Sequence, residues 1–275
     1  MGRIAAGWHL AKLSLRVVWS DGSLSALVVL GGIASGAVAL AFLVPAAVAY
    51  GIEEKVLAAV LTAIGVYLAT LVATYFAVAL AAAAADVLDG RDGTVRGGMA
   101  AASRVTGSIV GWALVLTTVN LALQLLRERA GILGSLLLGA ATVAWTLATF
   151  LVVPTLALEG LGPLQALDRS AAALFRAKWG EQLVGTASID LLFAVFGTVP
   201  ALALVFLGLA SGSTPIAVGC FVVGILAAVA AGVLGSAARS VFAVAVYRYA
   251  SGTGPTGPFT TADLELAVAR KGWSN

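Results

Sequence analysis

The chain has 275 residues, enough for one or two soluble domains, but 61% are apolar, 11% are charged and the mean hydropathy is +1.04. Such values exclude an ordinary soluble protein and point to an integral membrane protein. The net charge of +3 is dispersed among apolar segments rather than gathered on one surface, so nucleic acid is not an expected partner.

Residues 1–24 predict an N-terminal interfacial amphipathic helix. His9, Lys12 and Arg16 form a narrow basic stripe on an otherwise apolar segment, and Trp8 and Trp19 flank it at headgroup level. The same residues interrupt any secretory h-region, which leaves the first span to act as the insertion signal.

Residues 25–250 predict an all-α integral membrane domain of six transmembrane helices. The apolar runs cover about 25–50, 56–80, 108–126, 132–158, 187–210 and 215–249, each near or above the length that a hydrocarbon core of about 30 Å demands. Continuous Ala- and Leu-rich runs lack the alternation of a β-barrel strand. Short turns join the first and second, third and fourth, and fifth and sixth runs, so three helical hairpins are expected. Two longer connectors, 86–107 and 159–186, separate them.

Twelve of the sixteen basic residues fall on the side of the termini and long connectors, counting Arg248 at the very end of the last run, three on the short turns, and Arg239 deeper within the last run. By the positive-inside rule the protein is multi-pass in the cell inner (plasma) membrane, with both termini cytoplasmic. The connectors themselves predict cytoplasmic amphipathic helices. After Gly162-Pro163, the residues Leu164, Leu167, Ala171, Leu174 and Phe175 recur at helical spacing, while Gln165, Arg169 and Arg176 face elsewhere. Val95, Met99, Ala102 and Val105 repeat the pattern more weakly. Residues 251–275 form a cytoplasmic C-terminal tail, broken by glycines and prolines before a short helix.

Phe76-Ala-Val-Ala, Phe150-Leu-Val-Val and Phe242-Ala-Val-Ala stand near the same end of the second, fourth and sixth runs, either as a threefold repeat or as shared membrane composition. Gly32 and Gly36 form a GxxxG pair suited to helix packing, and small-xxx-small pairs recur at Ala231/Gly235 and Gly232/Ser236.

Candidate chemistry is sparse. Polar residues in or beside hydrocarbon are functional candidates by default. Asp190 and Arg239 read as partners of each other, with Glu159 an alternative partner for Arg239; Arg239 also lies close enough to the interface to snorkel. Glu159 stands at a corner where Pro154 bends the fourth run and Gly160-Leu-Gly162-Pro163 turns the chain into the surface helix. There it is suited to hold Arg169, Arg239 or a helix N-terminus. Ser170 beside Arg169 reads as a solvated position or a contact for lipid phosphate. These five are structural or ligand candidates, and no catalytic, metal or cofactor residue is assigned. The sole histidine, His9, and sole cysteine, Cys220, lack nucleophilic or acid-base partners nearby in sequence. Asp86-Val-Leu-Asp89-Gly90 matches the opening of the CDP-alcohol phosphotransferase signature, but the segment that follows lacks its distal aspartates.

The run Pro154-x4-Glu159-Gly-x-Gly162-Pro163-x2-Ala-Leu-x-Arg169-Ser170 resembles an uncharacterised family of prokaryotic six-span membrane proteins. A looser version is similar to the membrane domain of some glycerophosphodiester phosphodiesterases, whose catalytic barrel has no counterpart here. The resemblance implies an architecture and no activity. The expected function is therefore a non-enzymatic membrane protein: an assembly factor, scaffold or lipid-interacting component. The alternative is a transporter, channel or lipid-translocating protein, and third stands a lipid enzyme using Asp86, Asp89 and Asp92. Membrane lipids are the expected partners, with a protein partner or a second copy left open.

Overall fold

The computed structural model describes residues 3–176, 199–204, 206–208, 210–250 and 257–260, which form helices and connecting turns. Helix α1 spans Arg3–Ser20, α2 Gly22–Gly51, α3 Lys55–Leu88, α4 Val95–Arg104, α5 Thr106–Arg129, α6 Ile132–Thr149, α7 Val152–Glu159 and α8 Pro163–Arg176. A shorter apolar helix, α9, covers Val199–Gly208, and α10 runs from Thr214 to Ala250.

Five stretches among the described residues are long and apolar enough to cross a membrane: Gly22–Gly51, Lys55–Leu88, Thr106–Arg129, Gly134–Glu159 and Ala230–Tyr249. They are the mark of a multi-pass membrane protein. The expected fifth run, 187–210, lies mostly outside the described residues, and α9 is its described part.

Helix α3 is the hub, touching α1, α2, α4, α5, α7 and α10. Its second half explains why. Val78 to Ala81 and Ala83 to Ala85 are buried, and a helix surface of alanine lets neighbouring backbones approach closely where lipid offers no hydrophobic drive to association. The core is gathered in one half of the bundle. Leu24 and Leu27 of α2, Ile109 and Trp112 of α5, Leu151 to Leu156 around α7 and Val241 to Val246 of α10 meet the end of α3 there. Leu114, Leu125, Leu136, Leu137, Leu202 and Phe206, further along their helices, are exposed on the chain.

The three related tetrapeptides contribute to this one core through Val78 and Ala79, Leu151 and Val152, and Phe242 to Ala245. The Phe150 and Phe242 rings lie 6.1 Å apart, and Phe259 meets Phe242 in a second tilted contact at 6.3 Å. Residues 257–260 of the tail are thus tied back to the bundle, whereas its expected short helix lies outside the described residues.

The connectors depart from their expected form. Helix α3 continues to Leu88, eight residues beyond the apolar run, so Asp86 sits on the helix itself. Helices α4 and α5 are separated by Val105 alone. Helix α4 rests directly on α3: a Cβ at Gly98 would lie 2.5 Å from the Ala79 carbonyl oxygen, and the Tyr75 hydroxyl donates to the Met99 carbonyl at 3.2 Å. Helix α1 buries Leu10, Ala11, Leu13, Ser14, Val17 and Val18, packing on α10 and α2, while His9, Lys12 and Arg16 are exposed. The Lys12 ammonium lies 5.0 Å from the centre of the Trp8 ring. Asp21 then starts α2, its Oδ1 accepting from the Ser23 and Leu24 amides at 2.7 and 3.2 Å.

The GxxxG expectation needs correction. A Cβ at Gly31 would meet Phe76 at 2.7 Å and one at Gly32 would meet Val233 at 2.9 Å, but Gly36 and Gly232 face open space. The consecutive pair Gly31-Gly32 wedges α2 between α3 and α10. In this part of α2 the packing does not use spacing by four.

Candidate functional site

The C-terminal ends of α3, α7 and α10 converge, and the polar chemistry of the described chain is concentrated where they meet. Asp86 and Asp89 close α3, Glu159 closes α7, and Tyr247 and Arg248 lie in the last turn of α10.

Glu159 stands at the negative end of a helix dipole, an unfavourable position for a carboxylate. Two donors offset it: Arg169 Nε on α8, at 3.2 Å, and the Tyr247 hydroxyl on α10. The chain can turn there because Gly160 adopts a left-handed conformation, φ 66°, ending α7 so that Pro163 starts α8 three residues later. Of the partners expected for Glu159, Arg169 is present. Arg239 is exposed on α10 and is not joined to it; Glu159 takes Tyr247 instead. Asp190 lies outside the described residues, and with it the expected pairing to Arg239.

Ser170 is neither solvated nor open to lipid phosphate. It is 1% exposed, and its Oγ accepts the Leu151 backbone N–H at 3.1 Å. The reason lies in Pro154. Lacking an N–H and carrying a ring that would strike the Phe150 carbonyl, it breaks the helix at Phe150-Leu151, so α6 and α7 are separate segments. The Phe150 amide turns to the Leu147 carbonyl, and Ser170 takes the Leu151 amide released from the helical pattern. Ala166, one turn earlier on α8, is also fully buried, while Leu164 is 62% exposed. Helix α8 thus docks on the bundle by its small residues and leaves Leu164 outside.

The Asp86–Asp89 segment forms a second junction. Arg91 reaches back to Asp86 at 2.6 Å and Asp89 at 2.9 Å, and Arg248 pairs with the other oxygen of Asp89. The hydrogen bond to Asp86 holds Arg91 above its usual pKa, outweighing desolvation, so it is charged throughout the accessible pH range. Arg248 and Asp89 are both largely buried, at 16% and 17% exposure. With their carboxylates committed to arginines, these acids are not gathered for a cation, and no cluster of three metal-ligating side chains occurs among the described residues. Sequence reasoning did not link Asp89 to Arg248 or Glu159 to Tyr247, because 159 and 88 positions separate the partners and no local pattern marks either pair.

Beside this junction a cleft of about 300 Å³ opens between α3 and α4, lined by Asp86, Arg91, Arg104 and Arg248, with Leu158 of α7 on one wall. A smaller groove of about 80 Å³ lies between α2, α3 and α10, with Ser35, Ser236 and Ser240 among its apolar lining. Ser35 and Ser236 donate to carbonyls of their own helices, at 2.7 and 2.8 Å.

Residues 57–258 match a family of unknown function, DUF6159, and the chain belongs to that family. The match takes in α3 to α10 and thus both polar junctions, while α1 and α2 precede it. No curated protein and no solved structure matches the chain.

Proposed function

We propose that this member of the DUF6159 family is a non-enzymatic membrane protein, an assembly factor, scaffold or lipid-interacting component. In this reading it crosses the inner membrane six times as three hairpins, with both termini cytoplasmic and α1, α4 and α8 forming a collar along the inner surface. The observation that carries the reading is how the ionisable groups at the converging helix ends are used. Glu159 is occupied by Arg169 and Tyr247, and Asp89 by Arg91 and Arg248, so these groups lock chain ends together. A rigid, charged end on a bundle whose other half exposes apolar side chains suits a component that holds position in a bilayer and presents one face to partners.

Affinity purification in mild detergent, with mass spectrometry of the proteins and lipids retained, tests the function. Stoichiometric recovery of a defined protein or lipid is expected. Recovery of the bare chain, together with solute flux in proteoliposomes, would replace this reading with a transporter. Single cysteines at Ser213 and Ser251, in a background lacking Cys220, test the topology: only the first is expected to label from outside intact cells.

A further inference from the structure

The lining of the cleft beside the α3 end includes three arginines, Arg91, Arg104 and Arg248, against one acidic residue, Asp86. Counting Asp89, which pairs with two of the arginines from outside the lining, leaves three positive charges facing two negative. The carboxylates fix the arginines without saturating them. Each guanidinium has five N–H donors; the Arg91 bonds to Asp86 use its Nε and Nη2, and the Arg248 bond uses Nη1. Arg248 Nε is buried without a hydrogen-bond partner, an arrangement that costs free energy unless something supplies an acceptor. Arg104 makes no ion pair or hydrogen bond among the described residues, yet it lines the same space.

The remaining surface supplies room. Gly97, Ala100 and Ala101 of α4 face Ala82 and Ala85 of α3, so small side chains leave the volume open, and about 300 Å³ is at the lower end of small-molecule sites. The cleft stands where the apolar run of α3 gives way to Asp86, with Leu158 as an apolar wall. In a bilayer that is the level of lipid headgroups.

We infer that this cleft binds a phosphate group, held by Arg91, Arg104 and Arg248. Guanidinium forks match phosphate oxygens in charge and geometry. A lipid headgroup or a free phosphate monoester presents the same chemistry. The lipid source rests on the lipid-interacting reading above; the site itself does not.

The test uses the full chain in phosphatidylcholine nanodiscs. Two probes are offered: radiolabelled inorganic phosphate by equilibrium dialysis, and phosphatidic acid added to the discs, read by native mass spectrometry. Arg104→Gln removes a ligand that holds nothing else together, Ala101→Leu fills the space without changing charge, and Arg96→Gln removes an exposed charge from the same helix outside the cleft. Binding of one phosphatidic acid per chain, weakened about tenfold by Arg104→Gln and by Ala101→Leu but not by Arg96→Gln, supports the site with a lipid occupant. The same pattern with inorganic phosphate alone supports it with a soluble one. Failure of the wild-type chain to bind either probe, or equal weakening by Arg96→Gln and Arg104→Gln, overturns the site. Neither result touches the scaffold reading, which stands or falls on the copurification experiment.

Discussion

Ser170 on α8 accepts a hydrogen bond at 3.1 Å from the backbone amide of Leu151, at the break between α6 and α7. Both groups are buried, so Ser170→Ala leaves an N–H without an acceptor where water does not reach. The expected loss is about 1–3 kcal/mol of stability. Thermal unfolding in nanodiscs should register it, and limited trypsin digestion should cut faster at Arg169, since the serine also pins α8. An unchanged unfolding temperature would mean the corner is held by Ala166 packing alone.

The two donors to Glu159 differ in worth. Arg169 is 53% exposed, and an ion pair so open to water contributes little, about 0–1 kcal/mol. The Tyr247 hydroxyl bonds the same carboxylate from α10, linking two helices rather than two ends of one corner. Tyr247→Phe is therefore expected to destabilise by about 1.5 kcal/mol, and Arg169→Gln by clearly less. Measuring both variants under one unfolding protocol checks the order; the reverse order would place the stabilising contact within the corner.

How far the sequence could be read depended on the environment that each residue meets. The ends of α2 and α10 followed from hydropathy within a few residues, because a long apolar run in a bilayer satisfies its own backbone only as a helix. The corner at 154–163 was legible through proline and glycine, whose backbone effects are local. Which side chains of α8 meet protein was not legible, for a physical reason. In water a leucine gains by facing protein, but beside lipid it gains as much by facing out, so Leu164 is exposed while Ala166 and Ser170 pack. In α2 the packing glycines are Gly31 and Gly32 rather than Gly32 and Gly36, because Phe76 and Val233 approach from two different helices and no sequence spacing marks that. Tyr247 and the pairing of Asp89 with Arg248 were illegible because tertiary contacts between distant helix ends leave no spacing to recognise.

Arg248 and Asp89 tie α10 to the end of α3 with both side chains largely out of water. Arg248→Gln strands a carboxylate that Arg91 compensates only from the solvent side. The expected cost is about 3 kcal/mol, the lower end for breaking a buried pair because Arg91 remains. Asp89→Asn should cost a similar amount, and the double variant less than the sum of the singles. A double-mutant cycle on unfolding free energy measures this coupling, and strict additivity would show that the two groups do not interact.

Gly98 governs how closely α4 lies on α3. A Cβ there would stand 2.5 Å from the Ala79 carbonyl oxygen and 3.2 Å from its carbonyl carbon, and a main-chain obstacle cannot swing aside as a side chain can. Gly98→Ala therefore pushes α4 outward, at about 1–3 kcal/mol for overpacking. Gly36 provides the contrast: its added Cβ meets nothing within 4 Å, and the helix-favouring methyl should stabilise α2 by about 0.5–1 kcal/mol. Because α4 supplies Arg104 and the small residues of the cleft, Gly98→Ala should also weaken phosphate binding, while Gly36→Ala leaves it unchanged. Unfolding temperature and phosphate dialysis on the two variants check both effects together. Equal stability of Gly98→Ala and wild type would show that α4 is free to shift, and the cleft would then lack the fixed wall that its geometry requires.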